Sequence, residues 1–404
     1  MPKKILIIFG ILLAFAMVTG VFIFGFFIGS VFPSDNTPTI SLGASSKDLR
    51  VVDEVFDIVR DQFVEKESKR KLQDGAIDGI LKALDDPYTR RLKGEHFKTL
   101  EEQTNGKFSG VGIEISTEDG KLIVVAPIKN TPASKAGVQA KDLILKIDDK
   151  STEDMDIQEA VKLIRGKEGS KVVLTFARNG GKPFDVEITR EEIKVPNVSG
   201  EIKDGDIGYI NILQFSEGTG DDVDKELISL KEKGAKGIII DLRSNPGGLL
   251  EEAVAVSSSF IKTGEPIVKI KPRTGKSETK LSTGKSADTK TPLVILVDKG
   301  SASASEIVAG AIQDIGRGEI IGEKTFGKGS VQSVITLSDG SGLVITTAKY
   351  LTPRGRSLSN KGIKPDVVVE RDMEAHKSGN DNQLDMGLKI LRENMDAKNN
   401  EKAS

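Results

Sequence analysis

The sequence predicts an α/β protein, a sheet with flanking helices that carries a smaller inserted β-rich domain behind one N-terminal apolar helix. Three observations lead there. After Val195, continuous apolar strands such as Gly237-Ile238-Ile239-Ile240-Asp241-Leu242 alternate with helical patterns, the signature of a sheet buried on both faces. Between about 100 and 190, short alternating strands are separated by glycine turns. Near the start, Ile5 to Phe32 is a run of 28 residues without a charge. The chain has 404 residues, enough for two or three domains with cores of their own.

The apolar run follows Lys3 and Lys4 and exceeds the roughly 20 residues needed to cross a bilayer. The flanking lysines favour a cytoplasmic N-terminus, so an uncleaved anchor is expected, with everything after Pro33 on the extracytoplasmic side of the cell membrane. A cleaved signal has a shorter apolar region of about 7 to 15 residues, and no Ala-x-Ala site follows here. Composition excludes several function classes. With 58 basic and 60 acidic residues, no net positive charge suggests a nucleic-acid partner. The absence of cysteine removes disulfides, thiol catalysis and zinc–thiolate sites. Only His96 and His376 are present, so neither a histidine-rich metal centre nor a Ser-His-Asp triad is expected, and no cofactor is implied.

Residues 33 to 46 are polar and rich in Ser, Gly and Pro, which reads as a linker. From Lys47 the spacing of Leu49, Val52, Val55, Phe56, Val59 and Phe63, then of Leu72, Ile77, Ile80, Leu81 and Leu84, predicts two amphipathic helices. They end at Asp85-Asp86-Pro87, because proline disfavours helix in the residue before it. Such an arm suits a docking cap and is compatible with a homodimer. Strands follow at Val111 to Ile115, Leu122 to Val125, Leu143 to Ile147 and Val172 to Phe176, with one amphipathic helix near Ile157 to Ile164. This stretch resembles a PDZ domain. The resemblance rests on Phe108-Ser109-Gly110-Val111-Gly112-Ile113, Thr131-Pro132-Ala133-Ser134-Lys135-Ala136-Gly137-Val138 and Lys141-Asp142-Leu143-Ile144-Leu145-Lys146-Ile147. It implies that the loop Phe108 to Gly112 presents N–H groups to the carboxylate of a peptide that adds a strand to the sheet edge.

In the second half, strands at Gly208 to Ile212, Gly237 to Leu242 and Pro292 to Asp298 are followed by helices around 221–233, from Leu249 and around 303–314. Ligands of such sheets sit at strand ends. The Lys/Thr/Ser/Gly-rich stretch Gly264 to Thr291 reads as a mobile surface excursion. The residues after Val369 are mostly polar with a weak helical pattern at Leu384, Leu388 and Leu391, and no chemistry is assigned to them.

The chemistry lies in two segments. In Ser301-Ala302-Ser303-Ala304-Ser305-Glu306 a strand gives way to a helix, and free helix-end N–H groups lie beside a serine. In Phe326-Gly327-Lys328-Gly329-Ser330 a lysine sits between glycines, with Gln332 beyond. A buried lysine with a lowered pKa can activate a serine hydroxyl. A third segment, Asp241-Leu242-Arg243-Ser244-Asn245-Pro246-Gly247-Gly248, ends in glycines whose N–H groups can face a cleft. A phosphate-binding loop over Gly322 to Lys328 fails where Gly329 replaces the Ser or Thr that would hold Mg²⁺.

Together these segments resemble the carboxyl-terminal processing peptidases, or tail-specific proteases, from about Asp48 to Val369, including Tyr350-Leu351-Thr352-Pro353-Arg354-Gly355-Arg356-Ser357 and Gly362-Ile363-Lys364-Pro365-Asp366. The resemblance implies a membrane-associated serine endopeptidase with Ser303 as nucleophile, Lys328 as base 25 residues later, and Gln332 orienting the lysine. The Ala304 amide, with Gly247 or Gly248, would hold the oxyanion. The PDZ domain would bind free C-termini of protein or peptide substrates, and Arg165 is a candidate contact between it and the protease domain. The resulting division is a membrane anchor at 1–33, a linker at 34–46, a helical region at 47–100, a PDZ domain at 101–190, a serine protease domain at 191–371 and a polar tail at 372–404. The rival reading is a noncatalytic, membrane-tethered PDZ adaptor.

Overall fold

The computed structural model describes residues 49–118, 120–284, 287–372, 374 and 380–403. The expected anchor 1–33 and linker 34–46 lie outside the described residues, and among those described no helix is long and apolar enough to cross a membrane. The chain divides after Ile77 into two units. In the first, α1 (Arg50–Gln62) buries none of its residues and leaves Val52, Val55 and Ile58 exposed. Helix α2 (Lys69–Lys82) begins in this unit and ends just before the predicted stop.

The second unit opens with β1 (Arg90–Leu92), α3 (Glu95–Asn105) and β2 (Lys107–Gly110). These elements depart from the helical region expected up to residue 100. The strand β1 is short and arginine-rich, so no apolar period announced it. The inserted domain follows as β3 (Ile113–Glu118), β4 (Lys121–Pro127), α4 (Pro132–Lys135), β5 (Leu143–Ile147), β6 (Lys150–Ser151), α5 (Ile157–Ile164), β7 (Lys171–Ala177) and β8 (Phe184–Thr189). Its sheet runs β3-β4-β5-β7-β8, which leaves β3 at an edge. The alternating residues Val124, Ile144, Leu174 and Phe176 turn inward and pack with Val111 and Ile164. Asp156 caps α5 by accepting the N–H groups of Gln158 and Glu159 at 2.7 and 2.9 Å. The next strand, β9 (Glu191–Lys194), pairs with β2, so a two-stranded ribbon joins the start of the expected insert to residues just beyond its expected end at 190.

The larger domain continues with β10 (Val198–Lys203), β11 (Ile207–Ile212), α6 (Thr219–Glu232), β12 (Gly237–Asp241), α7 (Leu250–Ser258), β13 (Pro266–Pro272), β14 (Glu278–Leu281), β15 (Leu293–Val297), α8 (Ala304–Ile315), β16 (Glu319–Gly322), β17 (Ser330–Thr336), β18 (Gly342–Leu351), β19 (Val367–Val368) and α9 (Asn382–Ala403). Its main sheet has the order β10-β11-β12-β15-β16-β19, parallel except for β10. The apolar runs are buried on both faces, as expected. Ile238, Ile240, Ile295 and Val297 pack with residues of α6, α7 and α8, while Ile239, Val294 and Leu296 pack with Leu391 and Met395 of α9.

Two expectations are corrected here. The stretch Gly264 to Thr291 contains the hairpin β13–β14, with Ile267 and Val268 buried, in a second, antiparallel sheet built around β18. Its lysines and threonines lie among those apolar residues and hid the strand pattern. The polar tail 372–404 supplies α9, whose narrow apolar stripe packs on the main sheet at β12, β15 and β16. Leu391 is fully buried and lies where a Cβ on Gly237 would come within 2.8 Å of it. Replacing Leu391 with Ala is expected to cost about 2–5 kcal/mol of stability, read as a lower denaturant midpoint at unchanged slope.

Candidate active site

The three segments singled out in the sequence leave the carboxyl ends of three adjacent parallel strands, β12, β15 and β16. That topology alone gathers residues 242–249, 298–303 and 323–329 at one edge of the sheet. Hydrogen bonds then set their spacing. The backbone carbonyl of Asn245 accepts the Ala302 N–H at 3.0 Å and the Ser305 hydroxyl at 3.0 Å. The Ser301 hydroxyl donates to the Leu242 carbonyl at 2.7 Å. The structure therefore separates the three serines: Ser301 and Ser305 spend their hydroxyls on the neighbouring loop. Ser303, at φ 54° and ψ −111°, occupies a strained backbone region at the start of α8.

Glu306 has no exposed surface, and its carboxylate accepts four hydrogen bonds. One oxygen takes the N–H of Ser303 at 2.9 Å and of Lys328 at 2.9 Å. The other takes the N–H of Gly327 at 2.8 Å and the Thr325 hydroxyl at 2.6 Å. Thr325 in turn accepts the Ile363 N–H at 2.7 Å. One buried carboxylate thus holds the serine turn and the lysine loop together. Glycine is required at 329 because a Cβ there would stand 2.2 Å from the Ser359 nitrogen. The lysine loop leads into β17 rather than a helix, which a phosphate-binding loop would require.

Lys328 is half-buried, and its pKa lies below the ordinary lysine value. Burial of the ammonium is the largest cause, the charge of Arg90 adds to it, and Glu306 opposes it. No hydrogen bond joins Lys328 Nζ to Ser303 Oγ or to Gln332 among the described residues. Gln332 Nε2 donates instead to the hydroxyls of Ser330 and Thr346, at 2.8 and 3.2 Å. Of the three amides considered for an oxyanion, those of Ala304 and Gly248 have no acceptor among the described residues, whereas Gly247 N–H donates to Asn245 Oδ1 at 2.9 Å. Gly247 contributes through its missing side chain: at φ 101°, a Cβ would lie 2.8 Å from Ser303 Cβ and 2.9 Å from the Ala304 nitrogen.

In the inserted domain, Phe108, Ser109 and Gly110 belong to β2 and are paired with β9, so the expected loop is reduced to Val111 and Gly112. The N–H groups of those two residues have no acceptor among the described residues. Arg165 donates to Glu102 on α3 at 2.7 Å and stacks over the Phe108 ring at 4.6 Å. Helix α3 in turn reaches the second sheet, since a Cβ on Gly342 of β18 would meet the Phe97 ring at 2.3 Å.

The tethering roles of Glu306 and Asn245 were not read from the sequence. For Glu306 a signal existed, because it stands three residues after Ser303, the spacing at which an acidic side chain reaches back to the first amide of a helix. Asn245 carried none. Glu306→Gln would turn an NH2 group toward donors that already fill the site. It is expected to lower stability by about 2–4 kcal/mol and to remove exchange protection from the Gly327 and Lys328 amides, measured by hydrogen exchange.

Comparison with known proteins agrees with this geometry. Residues 206–369 match peptidase family S41, residues 123–178 match a PDZ domain, and residues 34–95 match the N-terminal domain of the activating protease CtpB. The chain is 41% identical to the carboxy-terminal processing protease CtpA of Bacillus subtilis over 319 residues, which cover 79% of this chain and 68% of that one. It is 40% identical over 370 residues to a carboxy-terminal-processing protease of Bartonella bacilliformis, covering 88% and 84% of the two chains. A solved S41-type structure from Bacteroides fragilis shares the fold at 14% identity, with a TM-score of 0.53 and coverage of 84% and 97%. A serine turn and a lysine loop bound to one buried carboxylate, beside an inserted PDZ domain, thus occur in a chain that belongs to the carboxy-terminal processing proteases, serine peptidases of family S41.

Proposed function

We propose that the protein is a membrane-anchored endopeptidase that cleaves exported proteins with Ser303 as nucleophile, Lys328 as general base and Gln332 in support. The observation that carries this reading is the joint tethering of Ser303 and Lys328 to Glu306, with the lysine amine in a half-buried setting that lowers its pKa. Neutral Lys328 would accept the Ser303 proton as Oγ attacks the substrate carbonyl, and would return that proton to the departing amine. The oxyanion would face the unpaired N–H groups of Ala304 and Gly248. Water, deprotonated in turn by Lys328, would then release the acyl group.

The PDZ domain would receive a free C-terminus, its carboxylate on the amides of Val111 and Gly112 and its backbone added to the open edge of β3. Arg165, bonded to α3, would connect that event to the protease domain. The anchor reading rests on the uncharged run Ile5 to Phe32 and places the catalytic part outside the cytoplasm.

Ser303→Ala and Lys328→Ala are each expected to lower cleavage of an unfolded reporter at least about a thousandfold with the thermal transition preserved. An active, folded Lys328→Ala protein would overturn the assignment and return the adaptor reading. Gly247→Ala is expected to cost about a hundredfold in kcat, because its Cβ displaces Ser303 and the Ala304 amide, and single-turnover acylation rates are the measure.

A further inference from the structure

The catalytic amine has a neighbour that the proposed chemistry does not use. Lys328 Nζ lies 5.2 Å from the centre of the Tyr88 ring, and it makes no hydrogen bond among the described residues. Tyr88 is held there from three directions. Asp86 accepts the Tyr88 N–H at 3.2 Å and the Thr89 hydroxyl at 2.6 Å. The Thr89 oxygen accepts the Thr346 N–H at 3.1 Å. Arg90 stands opposite Val344 where β1 pairs with β18. The Thr346 hydroxyl also receives the Gln332 amide, so one residue of β18 braces both the Tyr88 segment and Gln332.

The face of an aromatic ring attracts an ammonium and gives a neutral amine little. The charged groups that face Lys328 are Arg90 from β1 and Glu306 from α8. The Glu306 oxygens are already occupied by four donors, which leaves the ring as the favourable contact for Nζ.

We infer that Tyr88 is a positioning residue that holds the Lys328 amine in a resting place on its ring, apart from Ser303, and that cleavage begins when the amine leaves the ring. The inference rests on the reading of Lys328 as the base. On leaving, the ammonium gives its proton to solvent water, and the neutral amine is then free to accept the proton of Ser303 Oγ.

The test is the pH profile of kcat/KM of the full-length protein on an unfolded reporter. A ring that favours the charged amine keeps Lys328 protonated to higher pH, so removing its attraction moves the acid limb down. Tyr88→Leu and Tyr88→Met, which keep the amine covered, are expected to shift that limb down by roughly half a pH unit and to raise the rate on its acid side about threefold without added peptide. Tyr88→Phe is expected to behave as wild type. Phenylalanines carrying one, two or three ring fluorines at position 88 weaken the ring face at nearly constant shape, and should shift the limb stepwise even where Leu and Met disturb folding. Two results would overturn the inference: an acid limb that does not move across the fluorinated series, or a loss of kcat in Tyr88→Leu that Tyr88→Phe restores, which would place the ring in the active geometry instead. Ser303→Ala is run in parallel. If it is inactive while the limb stays put, only the role of Tyr88 fails; if it still cleaves, the Ser–Lys reading fails with it.

Discussion

The buried carboxylate of Glu306 is the interaction on which the site depends. A carboxylate removed from water is costly unless its lone pairs are filled, and here four donors from two loops fill them. Those donors belong to the turn that presents Ser303 and to the loop that presents Lys328, so the burial of one charge brings the two segments together. The same bonds occupy backbone N–H groups that would otherwise be orphaned in a closed part of the domain. Strain at Ser303, whose φ is positive, is tolerated because Glu306 and Asn245 fix the residues around it.

The remaining architecture follows from where the loops leave the main sheet. Parallel strands deliver three loops to one edge of the main sheet. The antiparallel sheet around β18 then approaches from the lysine side, bringing β17 and β1 against the site. The inserted domain is joined to this body by the β2–β9 ribbon and by Arg165 on Glu102. Since α3 also packs against β18 through Phe97 and Gly342, the inserted domain touches an element that leans on the second sheet.

Much of this was legible in the sequence. The strands β12 and β15 were read from their unbroken apolar runs, β11 from its apolar Ile210 and Ile212, and α5 from its helical spacing, because each is buried along its whole length or along one clean stripe. The strands β1, β13 and β14 were missed for the opposite reason. They are short, edge-like or rich in lysine, arginine and threonine, and they become strands only because β18 offers hydrogen bonds to β1 and β13, and β13 to β14. Helix α9 reads as polar because only a few of its residues, Leu391 and Met395 among them, meet the sheet.

By itself the sequence determined the family, a serine peptidase, together with the order of the serine and lysine segments and the main strands that deliver them. These are properties of composition and short-range period, which survive without knowledge of what packs on what. Only the tertiary structure decided which of three neighbouring serines is not spent on a backbone carbonyl, that Glu306 joins two loops, that Gly248 rather than Gly247 has a spare amide, and that Tyr88 lies beneath the lysine. Each of these depends on residues brought together from distant parts of the chain, where hydrogen-bond accounting and burial, rather than local pattern, settle what each atom can do.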